Sequence, residues 1–571
     1  MGKVNRREFF EEVIAQREAH EQSVSLDKDT VYQKYVNKTA PTGHNKTTST
    51  LNPYSGSWTE DEAIHLLRRT TFGVKPADVQ TLLGMTMSQA VDKILTLPSA
   101  APTPPLNNYN AVVADPTIPL GQTWVNAPYD SNTAGQRNYS FKSWWMGQLL
   151  NQDLSIQEKM VLFWHNHFAT EVLSVGDGRK SYKLNAMFRA NALGNFKTIV
   201  KNVTLDPAML VYLNGYLNTK TAPDENYGRE LQELFTIGKG FTPIYAEDDV
   251  KAAAKALTGW RINNTTITSY FDSTKHDTGN KVFTSYYNGN VITGKTGSAG
   301  ATEVDDLLDM IFRSPDVAFH ICRKIYRCFV YYDIDSTTET NIIGPMATIL
   351  VNNNYDIKPV MEALLKSEHF YDINSKACFI RTPMDYLAGM FRTMQVNIPT
   401  SLSVDKTYAI WNYIRSYGNT LAMDLGDPPN VAGWPAYYQS PDFYEIWINS
   451  TTLPKRMAFA DLMLSSGFSA GTGTTIKIDV IAFTKLCHNP ADPNILMDFF
   501  IKYLLGLPIS SASMTAIKQS QLLSGQTSDY YWTTAWTNYV SNPNTTNTNT
   551  VKTRLTNALT ELLHLSELHL C

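Results

Sequence analysis

Nothing in this chain approaches the ~18 to 20 continuous apolar residues that a membrane-crossing helix requires, so the body is not expected to span a bilayer. Charge is sparse: Asp, Glu, Lys and Arg make up 18% of the residues, and 49 basic against 53 acidic side chains leave a formal net charge of −4. No long basic stripe interrupts that balance, which argues against nucleic acid as a partner, because binding phosphates along a backbone needs clustered Lys and Arg. Cysteine is scarce. Cys322, Cys328, Cys378, Cys487 and Cys571 offer neither a C-x-x-C pair nor the density of a disulfide scaffold, so mostly buried thiols are expected. Several catalytic signatures are missing as well: there is no G-x-S-x-G elbow, P-loop, G-x-G-x-x-G after a strand, or H-E-x-x-H.

What is present is a large apolar and aromatic complement, 43% hydrophobic with 30 Tyr and 11 Trp in 571 residues, enough for a sizeable core. Near the N-terminus Asn5-Arg6-Arg7-Glu8-Phe9-Phe10 looks like the start of a twin-arginine export signal, but Glu11-Glu12-Val13-Ile14-Ala15-Gln16-Arg17-Glu18 stands where an apolar region should follow. The segment therefore reads as an amphipathic leading helix. Residues 23 to 57, rich in Thr, Asn, Lys and Gly, read as a polar arm, so that 1–57 precede a single helical body over 58–571.

Within the body, Thr59 with Glu62 and Ser155 with Glu158 both read as capping boxes opening helices, and Pro76 suits a first-turn position. Helical periodicity continues at Met160 to Phe168, Asp224 to Ile237, Asp248 to Leu257, Val304 to Arg313, Val317 to Tyr331, Asn341 to Val351, Ile357 to Ser367, Pro383 to Met394 and Ala458 to Ser465. A Pro- and Asn-rich excursion spans Ala101 to Gln136, and residues 541–550 read as a loop before the last helix. Between Ile262 and Gly300 short alternations of Thr, Tyr, Phe and Gly suggest a small hairpin or irregular insertion. The expected fold class is mainly α: a large multi-helix globular body with that insertion and an N-terminal arm.

Read together, His65-Leu66-Leu67-Arg68-Arg69-Thr70-Thr71-Phe72-Gly73, Phe163-Trp164-His165-Asn166-His167-Phe168 and Glu225-Asn226-Tyr227-Gly228-Arg229-Glu230-Leu231 resemble the bacterial domain-of-unknown-function family 1800. Ala256-Leu257-Thr258-Gly259-Trp260, His276-Asp277-Thr278-Gly279-Asn280-Lys281 and Pro428-Pro429-Asn430-Val431-Ala432-Gly433-Trp434-Pro435 look like further hallmarks in the same order. The resemblance implies a largely helical protein, usually exported, often accompanied by a sulfatase-like partner, with no established catalytic residues to carry over. Two departures stand out: Gly228 replaces an expected alanine, and the export signal is degraded.

The candidate chemistry lies in these segments. His165 and His167, two apart, sit ~200° around a continuous helix and then cannot share an ion, whereas an unwound His-x-His could offer both imidazoles to one metal. Glu230 and Glu233 at i and i+3 can face one site, although Arg229 can pair with Glu233 and Asn226 with Glu230 in an ordinary polar network. His276-Asp277 falls in the irregular region, as a ligand pair or as a plain turn. Convergence would give a divalent metal centre suited to zinc, iron or manganese, with His165, His167, Glu233 and His276 as ligands and Glu230, Asp277 and Arg229 as catalytic groups. The sequence then suggests a metal-assisted hydrolase acting on an extracytoplasmic polymer; the alternative is a non-catalytic envelope or surface scaffold binding a partner protein or a glycan. The aromatic run Trp434, Tyr437, Tyr438, Phe443, Tyr444 and Trp447 is either a sugar- or peptide-binding platform or a packed loop. His320, His488, His564 and His569 read as structural.

Overall fold

The structure, a computed structural model, describes residues 48–238, 245–434 and 447–571. The Arg6-Arg7 segment, the expected leading helix and most of the polar arm lie outside the described residues, as do Tyr437, Tyr438, Phe443 and Tyr444. Helices dominate. Among the described residues strands are confined to two antiparallel ribbons, Trp260–Asn263 with Thr268–Phe271, which begins two residues before the predicted insertion, and Lys281–Val282 with Val291–Ile292, inside it. The chain from Ser49 to Cys571 packs as one unit. Its first residues are tied in by backbone pairing, with the Tyr54 N–H donating to Lys366 O at 2.8 Å.

Local signals account for most helix starts. The Thr59–Glu62 box opens Glu60–Thr70, and Pro76 occupies the first turn of Pro76–Leu83. The second expected box does not form. Glu158 is drawn instead to Arg189, whose Nε and Nη2 each donate to the carboxylate at 2.9 Å, so helix Gln157–His167 begins without a side-chain cap. A buried two-pronged ion pair outweighs the ~1 kcal/mol of an N-cap, and it ties this helix to Gly178–Ala190. Residues 545–550 also depart from expectation, because Asn544 caps a helix over Thr545–Leu563. The weak helix formers of its first turns are carried by Val551, Leu555, Leu559 and Leu562, all fully buried.

Gln157–His167 lies at the centre of the core. Trp164 is fully buried, donates its indole N–H to Ala192 O at 3.0 Å and stacks on Phe196 with ring centres 5.9 Å apart. Gly228 has a packing reason: a Cβ there would lie 3.2 Å from both Ala254 N and Val250 O, so the missing methyl lets Glu247–Ala256 cross Glu225–Glu230 closely. That close crossing offsets the ~1 kcal/mol helix penalty of glycine.

After Glu230 the helix widens into a π turn over Leu231–Thr236, which no periodicity argument had anticipated. Its closing bonds run from Thr236 Oγ1 to Leu231 O and from the Gly238 N–H to Gln232 O. The carbonyls of Leu234 and Phe235 at its end accept instead from His320 Nε2 and His167 Nε2, each at 3.0 Å. Two imidazoles thus cap one helix terminus.

Candidate functional site

The structure separates the residues that the sequence had grouped. His165 and His167 both lie on the unbroken helix, and both are buried. His165 packs edge-on to Trp145 with ring centres 4.9 Å apart and tilts against Trp434 at 5.8 Å. Burial, reinforced by Lys142, pushes its pKa down to about 3. His167 donates to Phe235 O, which assigns the proton to Nε2, and burial followed by Lys324 and His320 holds it well below the ordinary histidine range. His276 belongs to a different network. That ring holds Thr258 O at 2.9 Å through Nδ1 and lies 3.0 Å from Glu303 Oε1 through Nε2, with Lys281 Nζ 2.6 Å from the other carboxylate oxygen.

Asp277 makes a turn, accepting the Gly279 N–H at 2.8 Å. Arg229 pairs with Glu247 at 2.9 Å and reaches Glu225 at 3.4 Å. Glu230 is buried, whereas Glu233 is half-buried beyond the start of the π turn, so their simple i, i+3 geometry is altered. Among the described residues no group of three or more His, Cys, Asp or Glu side chains could hold a metal ion. His165, His167, Glu230, Glu233, His276 and Asp277 therefore belong to no such group. His165 is packed among rings, His167 caps a helix end, His276 meets Glu303, Asp277 forms a turn and Arg229 pairs with Glu247.

Other side chains do converge. A cavity of about 140 Å³ is lined by Arg68, Arg69, Lys159, Lys324 and Arg327, five cations beside one carboxylate side chain among the described residues, that of Asp385. Phe163, Phe379, Trp434 and Trp447 supply apolar walls, and Asn166 and His167 complete one side. A void of ~150 Å³ is enough to hold a benzene ring, so the cavity has room for one ring or one oxyanion.

The cations differ in what they can offer. Arg69 is spent: its five N–H donors reach Phe329 O at 2.9 Å, Cys571 O at 3.4 Å, Cys571 Sγ at 3.0 Å, Cys328 O at 3.1 Å and Val330 O at 3.4 Å. It contributes charge without donors. Lys159 is held by Asp385 and lies 4.4 Å over the Phe72 ring. Burial, with Arg327 next, pushes Lys324 down to about 8, and burial with Arg381 next pushes Arg68 down to about 9. Positive charge is thus crowded here.

Two sequence segments build this wall by docking on each other. Asn166 Oδ1 accepts the Trp434 N–H at 2.7 Å, and Gly433, at φ +88°, leaves space for it, since a Cβ would lie 2.3 Å from that same oxygen. Gly433→Ala should cost at least ~1–2 kcal/mol from the left-handed backbone alone and displace Trp434. A lowered denaturant midpoint together with altered tryptophan fluorescence would show it; an unchanged midpoint would mean that the loop tolerates the methyl.

The fold and cavity define a class, a mainly α protein with a basic, aromatic-walled cavity at its core. The chain belongs to the domain-of-unknown-function family 1800, whose family model, described as a protein of unknown function, matches residues 65–555. Comparison with curated proteins and with solved structures found no match. Three of the segments that carry the family resemblance, Arg68-Arg69, Phe163 to His167 and Ala432 to Trp434, all line the cavity. Sequence reasoning had quoted those segments without assigning Arg68, Arg69, Asn166 or Trp434 to one site, and it missed Lys159, Lys324, Arg327 and Asp385. One sign was readable: Lys324 and Arg327 lie at i and i+3 on the amphipathic helix Pro315–Phe329, on the same side as His320.

Proposed function

We propose that the protein binds an anionic ligand in this cavity, an acidic group carried on a ring or other apolar body. The observation that carries the reading is the set of five cations around one carboxylate, two of them driven below their ordinary pKa. An anion entering such a site recovers the energy that burial withholds from the charged forms. The aromatic side chains give the attached ring a face to pack on. This reading keeps the ligand class of the scaffold alternative, with an acidic saccharide unit as one such ligand. It does not use the metal-assisted hydrolysis suggested by the sequence, since the residues named for that chemistry support it nowhere among the described positions.

Sulfate, whose charge is constant across the range, is a suitable probe. It should stabilise the folded chain by RT ln(1 + [L]/Kd), about 2.7 kcal/mol at a hundredfold excess over Kd. Lys324 is charged below its pKa, so affinity should be full well below pH 8, then fall by up to about tenfold per pH unit as Lys324 loses its proton. With ordinary values the fall would begin only above pH 10. Lys324→Met and Arg68→Met should each remove most of the stabilisation; the same shift in both variants as in the parent would refute the site.

A further inference from the structure

We infer that the oxyanion this cavity selects is one that carries its own O–H, hydrogen phosphate in preference to sulfate, and that Asp385 is the residue that reads the proton. The inference rests on the anion reading of the same cavity and adds the chemical class of the anion. Among the described residues Asp385 supplies the only side-chain carboxylate in the cavity lining. Its position is fixed from two sides. Oδ2 accepts the Thr382 hydroxyl at 2.9 Å, Oδ1 is paired with Lys159, and the Asp385 N–H donates back to Thr382 Oγ1 at 3.1 Å at the start of helix Pro383–Thr393. Lys159 is itself pinned over Phe72, so neither member of the pair is free to swing away from an incoming ligand.

Each carboxylate oxygen has two acceptor sites, and one on each is taken, which leaves one on each for a ligand donor. A fully ionised sulfate presents only acceptor oxygens, and setting one against Asp385 places like charges together with no proton between them. Inorganic phosphate at neutral pH keeps at least one P–OH. That group can donate to Asp385 in a short charge-assisted bond of ~2.5–2.7 Å while the remaining oxygens face the cations. A cation cage needs no carboxylate to hold an anion; a carboxylate among cations selects which anion is held. Polar sites of this kind discriminate strongly, because the ligand lacking the donor leaves the acceptor facing lone pairs.

Calorimetric titration of the full chain with inorganic phosphate and with sodium sulfate, at pH 7 and matched ionic strength, tests this. Phosphate should bind tighter by on the order of tenfold or more. In Asp385→Asn, whose amide can donate to sulfate, the ratio should fall toward one, mainly through tighter sulfate binding. Should that variant not fold, the parent chain still decides: at pH 8 methyl phosphate, with its second pKa ≈ 6, is a dianion without O–H and should bind as weakly as sulfate. Equal affinity for phosphate and sulfate in the parent chain would overturn the role of Asp385 while leaving the anion site standing. Failure of both anions to bind would overturn the anion site itself.

Discussion

The free energy of unfolding is expected to drop steeply as pH falls from 6.5 toward 4. Burial pushes His165, His320 and His569 down to about 3 and holds His65 and His167 well below the usual range. Each is neutral when folded and takes up a proton when unfolded, so its contribution is fully present above the unfolded value of ~6.5 and is lost as pH falls toward the folded one. Asp206 acts in the opposite sense, since burial raises its carboxyl to about 7 and protonation below that relieves the cost. Five histidines against one such acid leave a net slope of about 5 kcal/mol per pH unit near pH 5. Against a typical stability of ~5–15 kcal/mol, one to three pH units exhaust the reserve. Urea titrations at half-unit steps should show the midpoint collapsing between pH 6 and 4; a midpoint that holds level to pH 4 would mean that these imidazoles are not buried neutral.

Glu303→Ala should be among the most damaging single substitutions, at ~3–5 kcal/mol. Glu303 and Lys281 are both fully buried side chains, 2.6 Å apart, and the same carboxylate meets His276 and accepts the Lys295 N–H at 2.7 Å. Removing it leaves the buried ammonium with only the Asp277 carbonyl and the Asp277 carboxylate at 3.7 Å, beside an imidazole that has lost its carboxylate partner. Hydrogen bonds and the Lys281 pair hold Glu303 below the usual carboxylate range in spite of burial, so the pair persists well into acid. Lys281→Met combined with Glu303→Leu should cost much less than Glu303→Ala, because no charge is left unpaired. Equal losses in the single and double variants would show that volume, not charge, is what this network supplies.

Much of the fold could be read from the chain because local chemistry wrote it: Thr59 and Glu62 cap, Pro76 starts, and the Thr- and Tyr-rich stretch makes ribbons. Legibility failed where a distant partner outbid the local one. Glu158 abandoned its cap for Arg189, Asn- and Thr-rich residues 545–550 became helical on the strength of their buried continuation, and the π turn after Glu230 rotated Glu233 relative to Glu230. The candidate site was half legible for the same reason. His165 and His167 stood out in the sequence as ligand-type side chains in an apolar helix, but their partners, Trp145, Trp434 and Phe235 O, come from three separate segments. Arg68 and Lys324 are 256 positions apart, and no spacing rule brings such residues together.

The central claim is that the basic cavity holds an oxyanion. Arsenate carries an O–H as phosphate does and scatters anomalously, so diffraction at the arsenic edge from crystals grown with it locates the anion directly. The account predicts the strongest arsenic peak inside the cavity, between Lys324, Arg68 and Asp385, and its loss in Lys324→Met. Arsenic found only at surface lysines and arginines, with the cavity unlabelled, would contradict it.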